Sequence, residues 1–304
     1  MREFELLQHV FQATGKSQSV LIPPGDDMAM VQVDGVNLLA AVDQLVEARH
    51  FDISITPVHL IGRKAITRSL SDVAAMAAIP VASLGTITAC PSTHDEWAAA
   101  LFDAMNETAD QYNCPLIGGD VAIHHETGSP MVCTVTVLAK PGLNPPLRRS
   151  GAKAGDNLYV TGALGGSVDE NGLGRHLTFE PRINEALALS EILGPRLHAM
   201  IDISDGLGRD ASHIAELSNV SIEIDAGSLP INHGLDWRRA MSDGEDYELC
   251  FAAEGDVPNQ ICQLQVTQIG RIVALSDSLK PSIIVRDGST QIDAASLGWE
   301  HGNS

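Results

Sequence analysis

Basic residues are scarce in this chain. Its 304 residues include 19 Lys and Arg against 39 Asp and Glu, a formal charge of −20. That balance argues against a nucleic-acid backbone or an anionic membrane surface as partner. An anionic ligand would have to be met by metal ions or by a few placed Arg and Lys. Cysteine is also sparse. Cys90, Cys114, Cys133, Cys250 and Cys262 are dispersed and form no Cys-x-x-Cys. They read as reduced core thiols, which leads us to expect a cytoplasmic protein. The acidic start Met1-Arg2-Glu3-Phe4-Glu5 is followed by no long apolar run, so neither a signal peptide nor a membrane span is expected. Glycine-rich phosphate loops are missing too. Gly15-Lys16-Ser17 has Val10 where a P-loop needs its first Gly, and Gly162-Ala163-Leu164-Gly165-Gly166 is not the dinucleotide pattern. His124-His125 has no third ligand in zinc-site spacing.

Aspartate at the ends of apolar runs is what the sequence has in excess. Gly25-Asp26-Asp27 lies between Val20-Leu21-Ile22 and Met28-Ala29-Met30-Val31, and Asp43, Asp72, Asp120, Asp202 and Asp205 stand in comparable places. Two carboxylates about 4 Å apart at a surface repel by on the order of 4 kcal/mol. Convergence of several therefore demands cations. Oxygen ligands without Cys or His favour a hard ion, Mg²⁺ before Zn²⁺, and Mg²⁺ keeps positions for phosphate oxygens.

The length suits two domains, and hydrophobic residues make up 44%. Pro141 to Pro146 is the best boundary, giving domains 1–143 and 144–304. Periodicity predicts helices over Glu3 to Gln12, Pro57 to Met76, Asp95 to Tyr112 and Ile183 to Leu193. A further helix ends at Leu217, with Asp205 as its cap. Strands are expected at Asn37 to Val42, Val81 to Thr88, Pro115 to Ile117 with Asp120 at its tip, and Met131 to Ala139. Others are expected at Asn157 to Thr161, Ala199 to Ile201, Asp246 to Ala252, Val266 to Val273 and Ser282 to Val285.

The motifs then fall into a recognisable order. They are Gly25-Asp26-Asp27, Asp43-x-Leu45-Val46-Glu47-x-x-His50-Phe51, Ser71-Asp72-Val73-Ala74-Ala75-Met76 and Leu116-Ile117-Gly118-Gly119-Asp120. Next come Arg149-Ser150-Gly151-Ala152-x-x-Gly155-Asp156, Arg175-His176-Leu177 before Glu180-Pro181-Arg182, Ile201-Asp202-Ile203-Ser204-Asp205-Gly206-Leu207, and Gly244-Glu245-Asp246-Tyr247-Glu248-Leu249. Together they resemble thiamine-monophosphate kinase, within the aminoimidazole-ribonucleotide-synthetase superfamily. The resemblance implies two α+β domains, with the N-terminal sheet pairing with a second copy to form a homodimer. It implies thiamine monophosphate and ATP as substrates, with several Mg²⁺ ions. Asp27, Asp43, Asp72 and Asp120 match metal ligands of the first domain, and Asp202 and Asp205 those of the second. Gly119, Asp120, Arg149 and Ser204 match nucleotide contacts. His50, Glu245 and Trp299 match the thiamine phosphate site.

No residue is assigned as acid or base; Asp72, Asp120 and Arg149 are expected to act electrostatically. Ala41 and Val42 stand where the family has hydroxyl residues, Val121 where Thr is common, and Ser242-Asp243 where a small residue and Gly are usual. Two alternatives stay open. One is another ATP-using member of the superfamily, although the sulfur- and selenium-handling members use a Cys near a terminus and this chain has none before Cys90 or after Cys262. The other is a non-catalytic Mg²⁺–nucleotide-binding protein.

Overall fold

The computed structural model describes residues 17–275 and 280–299. The helix expected over Glu3 to Gln12, and Gly15 and Lys16 of the rejected loop, lie outside the described residues. The first half forms a six-stranded sheet from β1 (Val20–Ile22), β2 (Ala29–Val33), β3 (Val36–Val46), β4 (Ala78–Ala89), β5 (Leu116–Ile123) and β6 (Val132–Pro141), in the order β1-β2-β3-β6-β4-β5. Two helices, α1 (Val58–Ala75) and α2 (Asp95–Gln111), cover one face. Strands β4 and β5 run parallel, which requires the crossover that α2 supplies.

Alternation decides which side chains meet the helices. Leu39 and Leu45 of β3, Cys133, Val135 and Val137 of β6, and Ile87 of β4 are buried in the core. The opposite face carries Val42 in the open, about 60% exposed, while Val121 and Ile123, register partners of the inward Ile87 and Ala89, are exposed because β5 is an edge strand.

Three expectations shift here. β3 does not stop before Asp43 but runs to Val46, because β6 pairs along its length, with Asp43 opposite Val135. β4 begins at Ala78 and takes in Pro80. That is tolerated because β5 pairs with β4 only from Ser83 onward, which leaves the proline on an open edge. β5 runs on past Asp120, which sits mid-strand rather than at the tip. The close approach of β4 and β5 needs Gly119, where a Cβ would lie 1.7 Å from the Gly85 carbonyl oxygen. Gly119→Ala is expected to break this pairing and lower the melting temperature by roughly 5 °C or more. A thermal melt checks it.

The second half is an eight-stranded sheet built on the order β14-β13-β9-β12-β7-β10-β8. Its strands are β7 (Asn157–Thr161), β8 (Leu197–Asp202), β9 (Ser221–Asp225), β10 (Leu249–Ala253), β11 (Gln260–Ile261), β12 (Leu264–Val273), β13 (Ile283–Asp287) and β14 (Thr290–Asp293), with β11 paired to β12. The helices are α3 (Ile183–Leu193), α4 (Leu207–Ser218) and α5 (Trp237–Ser242). β10 starts at Leu249, not at Asp246, because the Asp246 and Glu248 side chains are committed to ion pairs and Tyr247 has a positive φ.

The sheet packs on both faces. Leu158, Val160, Ile201 and Cys250 pack with Leu207 and Ile214 of α4. Tyr159, Met200, Leu249 and Phe251 join the same core as α1 and α2. Each such side chain contributes roughly 1.5–3 kcal/mol by leaving water, so one apolar core welds the two sheets together. The Pro141 to Pro146 segment is tied down as well. Asn144 Nδ2 donates to the Ser190 carbonyl at 2.7 Å, and the Leu147 amide donates to the Met76 carbonyl at 3.1 Å.

Candidate active site

The site is organised along α1. Ile61, Ala65, Ile66, Leu70 and Val73 bury that helix. Lys64, Arg68 and Asp72 recur every fourth residue and so share a face. At 1.5 Å per residue this row spans about 12 Å.

At its Asp72 end three carboxylates converge. Asp27 comes from the turn after β1, Asp72 from the last turn of α1 and Asp202 from the end of β8. Each offers an oxygen within 4.8 Å of the other two. Alternation along β8 explains Asp202: it shares the side of Met200, which faces the common core. Its Oδ2 accepts from Ser71 Oγ at 2.6 Å. Arg149 is the counter-ion, with Nη2 2.7 Å and Nε 3.1 Å from Asp27 Oδ1. One arginine does not neutralise the group. Burial, then Asp43, Asp202 and Asp27, push the Asp72 carboxyl well above the usual range. Burial and the Asp27 charge raise Asp202 to about 7. Asp27 Oδ2 and Asp43 Oδ2 are buried without a hydrogen-bond partner. A cluster of oxygen ligands with orphaned lone pairs fits a hard divalent cation.

The remaining aspartates divide. Asp43 lies beside the cluster, its Oδ1 3.4 Å from Arg68 Nε. Asp120 stands apart within the single chain. It is opposite Thr86 in the register, hence on the outer face of the sheet, and is exposed. Asp205 does not cap α4. Gly206 is the N-cap residue, with no side-chain cap bond. Asp210 Oδ2 instead accepts from the Asp205 and Gly206 amides at 3.0 and 3.1 Å. The sequence reading passed over Asp210, which is buried and raised by that burial and by the Asp205 and Asp202 charges.

A cavity of about 550 Å³ opens beside this cluster, lined among others by His50, Arg68, Ser204, Asp205, Glu245 and Trp299. His50 Nδ1 accepts from the Val46 amide at 2.9 Å. Burial, helped by Arg68, lowers its pKa to about 3, so the ring is neutral and Nε2 carries the proton. Glu245 is a carboxylate. Burial would raise it, but the His176 hydrogen bond and the Lys64 charge hold it at about 2. The Trp299 amide donates to the Asp205 carbonyl at 2.8 Å, and the Arg49 guanidinium lies 4.8 Å from the Trp299 ring centroid. The glycine turn after β7 binds carboxylates, since the Gly165 and Gly166 amides donate to Asp246 and Asp243.

Lys64 and His176 were missed as site residues. The signal available was a Lys on the apolar face of a predicted helix.

The chain resembles known proteins over nearly its whole length. Residues 25–140 match AIR synthase related protein, N-terminal domain, and residues 153–278 match AIR synthase related protein, C-terminal domain. The chain is 31% identical to thiamine-monophosphate kinase of Bacillus subtilis (strain 168), covering 99% of each chain. It is 35% identical to that of Salmonella typhimurium (strain LT2), covering 94% of each. A solved structure described as AaThiL complexed with AMPPCP and TMP superposes with a TM-score of 0.80 at 25% identity, over 99% of this chain and 97% of that one.

Proposed function

The chain belongs to the thiamine-monophosphate kinase family, and we propose that it transfers the γ-phosphoryl group of ATP to the phosphate of thiamine monophosphate, giving thiamine diphosphate and ADP. The observation that carries this reading is adjacency. A carboxylate cluster fit for a hard cation adjoins a cavity lined by His50, Glu245 and Trp299. Asp27, Asp72 and Asp202, with Asp43 beside them, would hold Mg²⁺. When bound, Mg²⁺ supplies charge neutralisation for the phosphates.

The acceptor is a phosphate oxygen, anionic near neutral pH, so no side chain need take its proton. The chain's residues orient the two anions and offset their repulsion. Arg149, at the cluster, is suited to nucleotide phosphate. Ser204, in the cavity wall next to Asp205, is suited to a phosphate contact at the junction. Trp299 offers a ring face for a heteroaromatic substrate.

Gly119 and Asp120, exposed on β5, would complete the nucleotide site when the apolar outer face of the sheet meets a second copy. Val42, exposed on that face, and Val121 and Ile123, exposed on the edge strand β5, support such a homodimer. Division into units 1–143 and 144–304 is supported by the two sheets. Free cysteines suit a reducing compartment, the cytoplasm. Among the described residues no helix is long and apolar enough to cross a membrane.

Incubation with ATP, Mg²⁺ and thiamine monophosphate tests the reading. Thiamine diphosphate, measured as its fluorescent thiochrome derivative, is the expected product. ADP release without thiamine diphosphate would reject it.

A further inference from the structure

We propose that Lys64 is a positioning residue for the acceptor substrate, holding the Glu245 carboxylate and the His50 backbone in the shape the cavity needs. The inference rests on the functional reading above and deepens it.

Lys64 has no exposed surface, so it acts only through the groups it touches. Its ammonium group donates to the His50 carbonyl at 3.0 Å and to Glu245 Oε2, and it stands 2.7 Å from His176 Nδ1, which donates to the same Glu245 oxygen. Those groups come from three separate segments: the loop after β3, the 3₁₀ turn Arg175–Leu177, and the loop before β10. His50, His176 and Glu245 all line the cavity. One buried cation thus joins three pieces of its wall.

Taking an ammonium out of water carries a large desolvation cost that its pairing must offset. A methionine at this point of α1 would fill nearly the same volume without that cost, so stability alone does not account for a lysine.

The loop it holds is strained. Gly244, Glu245 and Tyr247 have φ of +69°, +53° and +51°. Left-handed backbone is unfavourable for each non-glycine residue and persists only where neighbours over-determine it. The backbone is fixed by the Glu245 amide to the Ser204 carbonyl at 2.7 Å and the Tyr247 amide to the Ile203 carbonyl at 2.8 Å. The Glu245 side chain is fixed by Lys64 and by His176 Nδ1, 2.8 Å away. Both contacts fall on Oε2. Oε1 is therefore the acceptor offered to a ligand, suited to an amino-substituted heteroaromatic ring. Because Lys64 stands two helical turns before Asp72, the same rigid helix sets the distance between that ring and the metal-binding carboxylates.

The test uses Lys64→Met, Glu245→Gln and the double variant. Steady-state kinetics at saturating ATP, calorimetric binding of thiamine monophosphate and binding of a non-hydrolysable ATP analogue are the readouts. For Lys64→Met we expect at least a 30-fold rise in both KM and Kd for thiamine monophosphate, kcat within about threefold, and analogue affinity within twofold. If Lys64 acts through Glu245, the double variant matches Glu245→Gln alone.

A KM for thiamine monophosphate within twofold of wild type would overturn the proposal. So would a parallel loss of analogue binding, or single effects that multiply in the double variant. Should Lys64→Met fail to fold, the double variant, which leaves no unpaired carboxylate, decides the question against Glu245→Gln. A wild-type chain that binds thiamine monophosphate without converting it overturns the functional reading alone. One that binds none overturns both.

Discussion

Asp72→Asn is expected to cut phosphoryl transfer about 10³-fold while raising the melting temperature of the metal-free protein by roughly 2–4 °C. The two effects have opposite signs for one reason. The Asp72 carboxylate is held against burial and the charges of Asp43, Asp202 and Asp27. Asparagine keeps the shape and removes the repulsion, but would also remove a charge from the proposed Mg²⁺ site, on which phosphate neutralisation would depend. Stabilisation by Mg²⁺ should shrink in step.

The same cluster sets a pH dependence. Asp72 is raised in the folded state and Asp202 is raised to about 7, against roughly 4 for an unfolded aspartate. The native state therefore binds more protons than the unfolded chain between those values. Metal-free stability contributed by these groups is complete below about pH 4 and is lost as pH rises through about 7. Added Mg²⁺ should restore it on the alkaline side. Urea titrations from pH 5 to 8 with and without Mg²⁺ measure this, and a metal-free profile that stays flat would count against the cluster.

Glu248→Ala is expected to destabilise the fold by about 3–5 kcal/mol, the usual loss when one partner of a buried ion pair is removed. Glu248 is 1% exposed. It accepts from Arg182 Nε and Nη2 at 2.8 and 2.6 Å and from Thr161 Oγ1 at 2.7 Å, with Arg175 Nη1 3.5 Å away. Its loss leaves the partly buried Arg182 without its carboxylate, at the point where the strained loop enters β10. Glu248→Gln, which keeps acceptors but not charge, should lose about half as much. Denaturant midpoints compare the pair, and a loss for Glu248→Ala below about 1 kcal/mol would mean that water screens the network.

Legibility differed between elements. Leu101 and Met105 of the predicted stripe are buried in α2, because a 3.6-residue period survives any arrangement of neighbours. Strand ends were less legible, since the partner strand sets them. β3 continues through Asp43 and β5 through Asp120 because β6 and β4 go on pairing there. Asp205 illustrates the limit for caps. Its sequence context suits capping, yet Asp210, from inside the helix, takes the loop amides.

The sequence by itself determined the family, the element types and the supply of oxygen ligands in a chain poor in cations. All of these are properties of local order and composition. Tertiary structure decided which carboxylates meet. Asp27, Asp72 and Asp202 share one site because β8 turns Asp202 toward the core that contains α1. Asp120, equally prominent in the chain, points outward because its register partner is Thr86. Convergence depends on strand register and on which faces are buried, and neither is encoded in the spacing of any one motif.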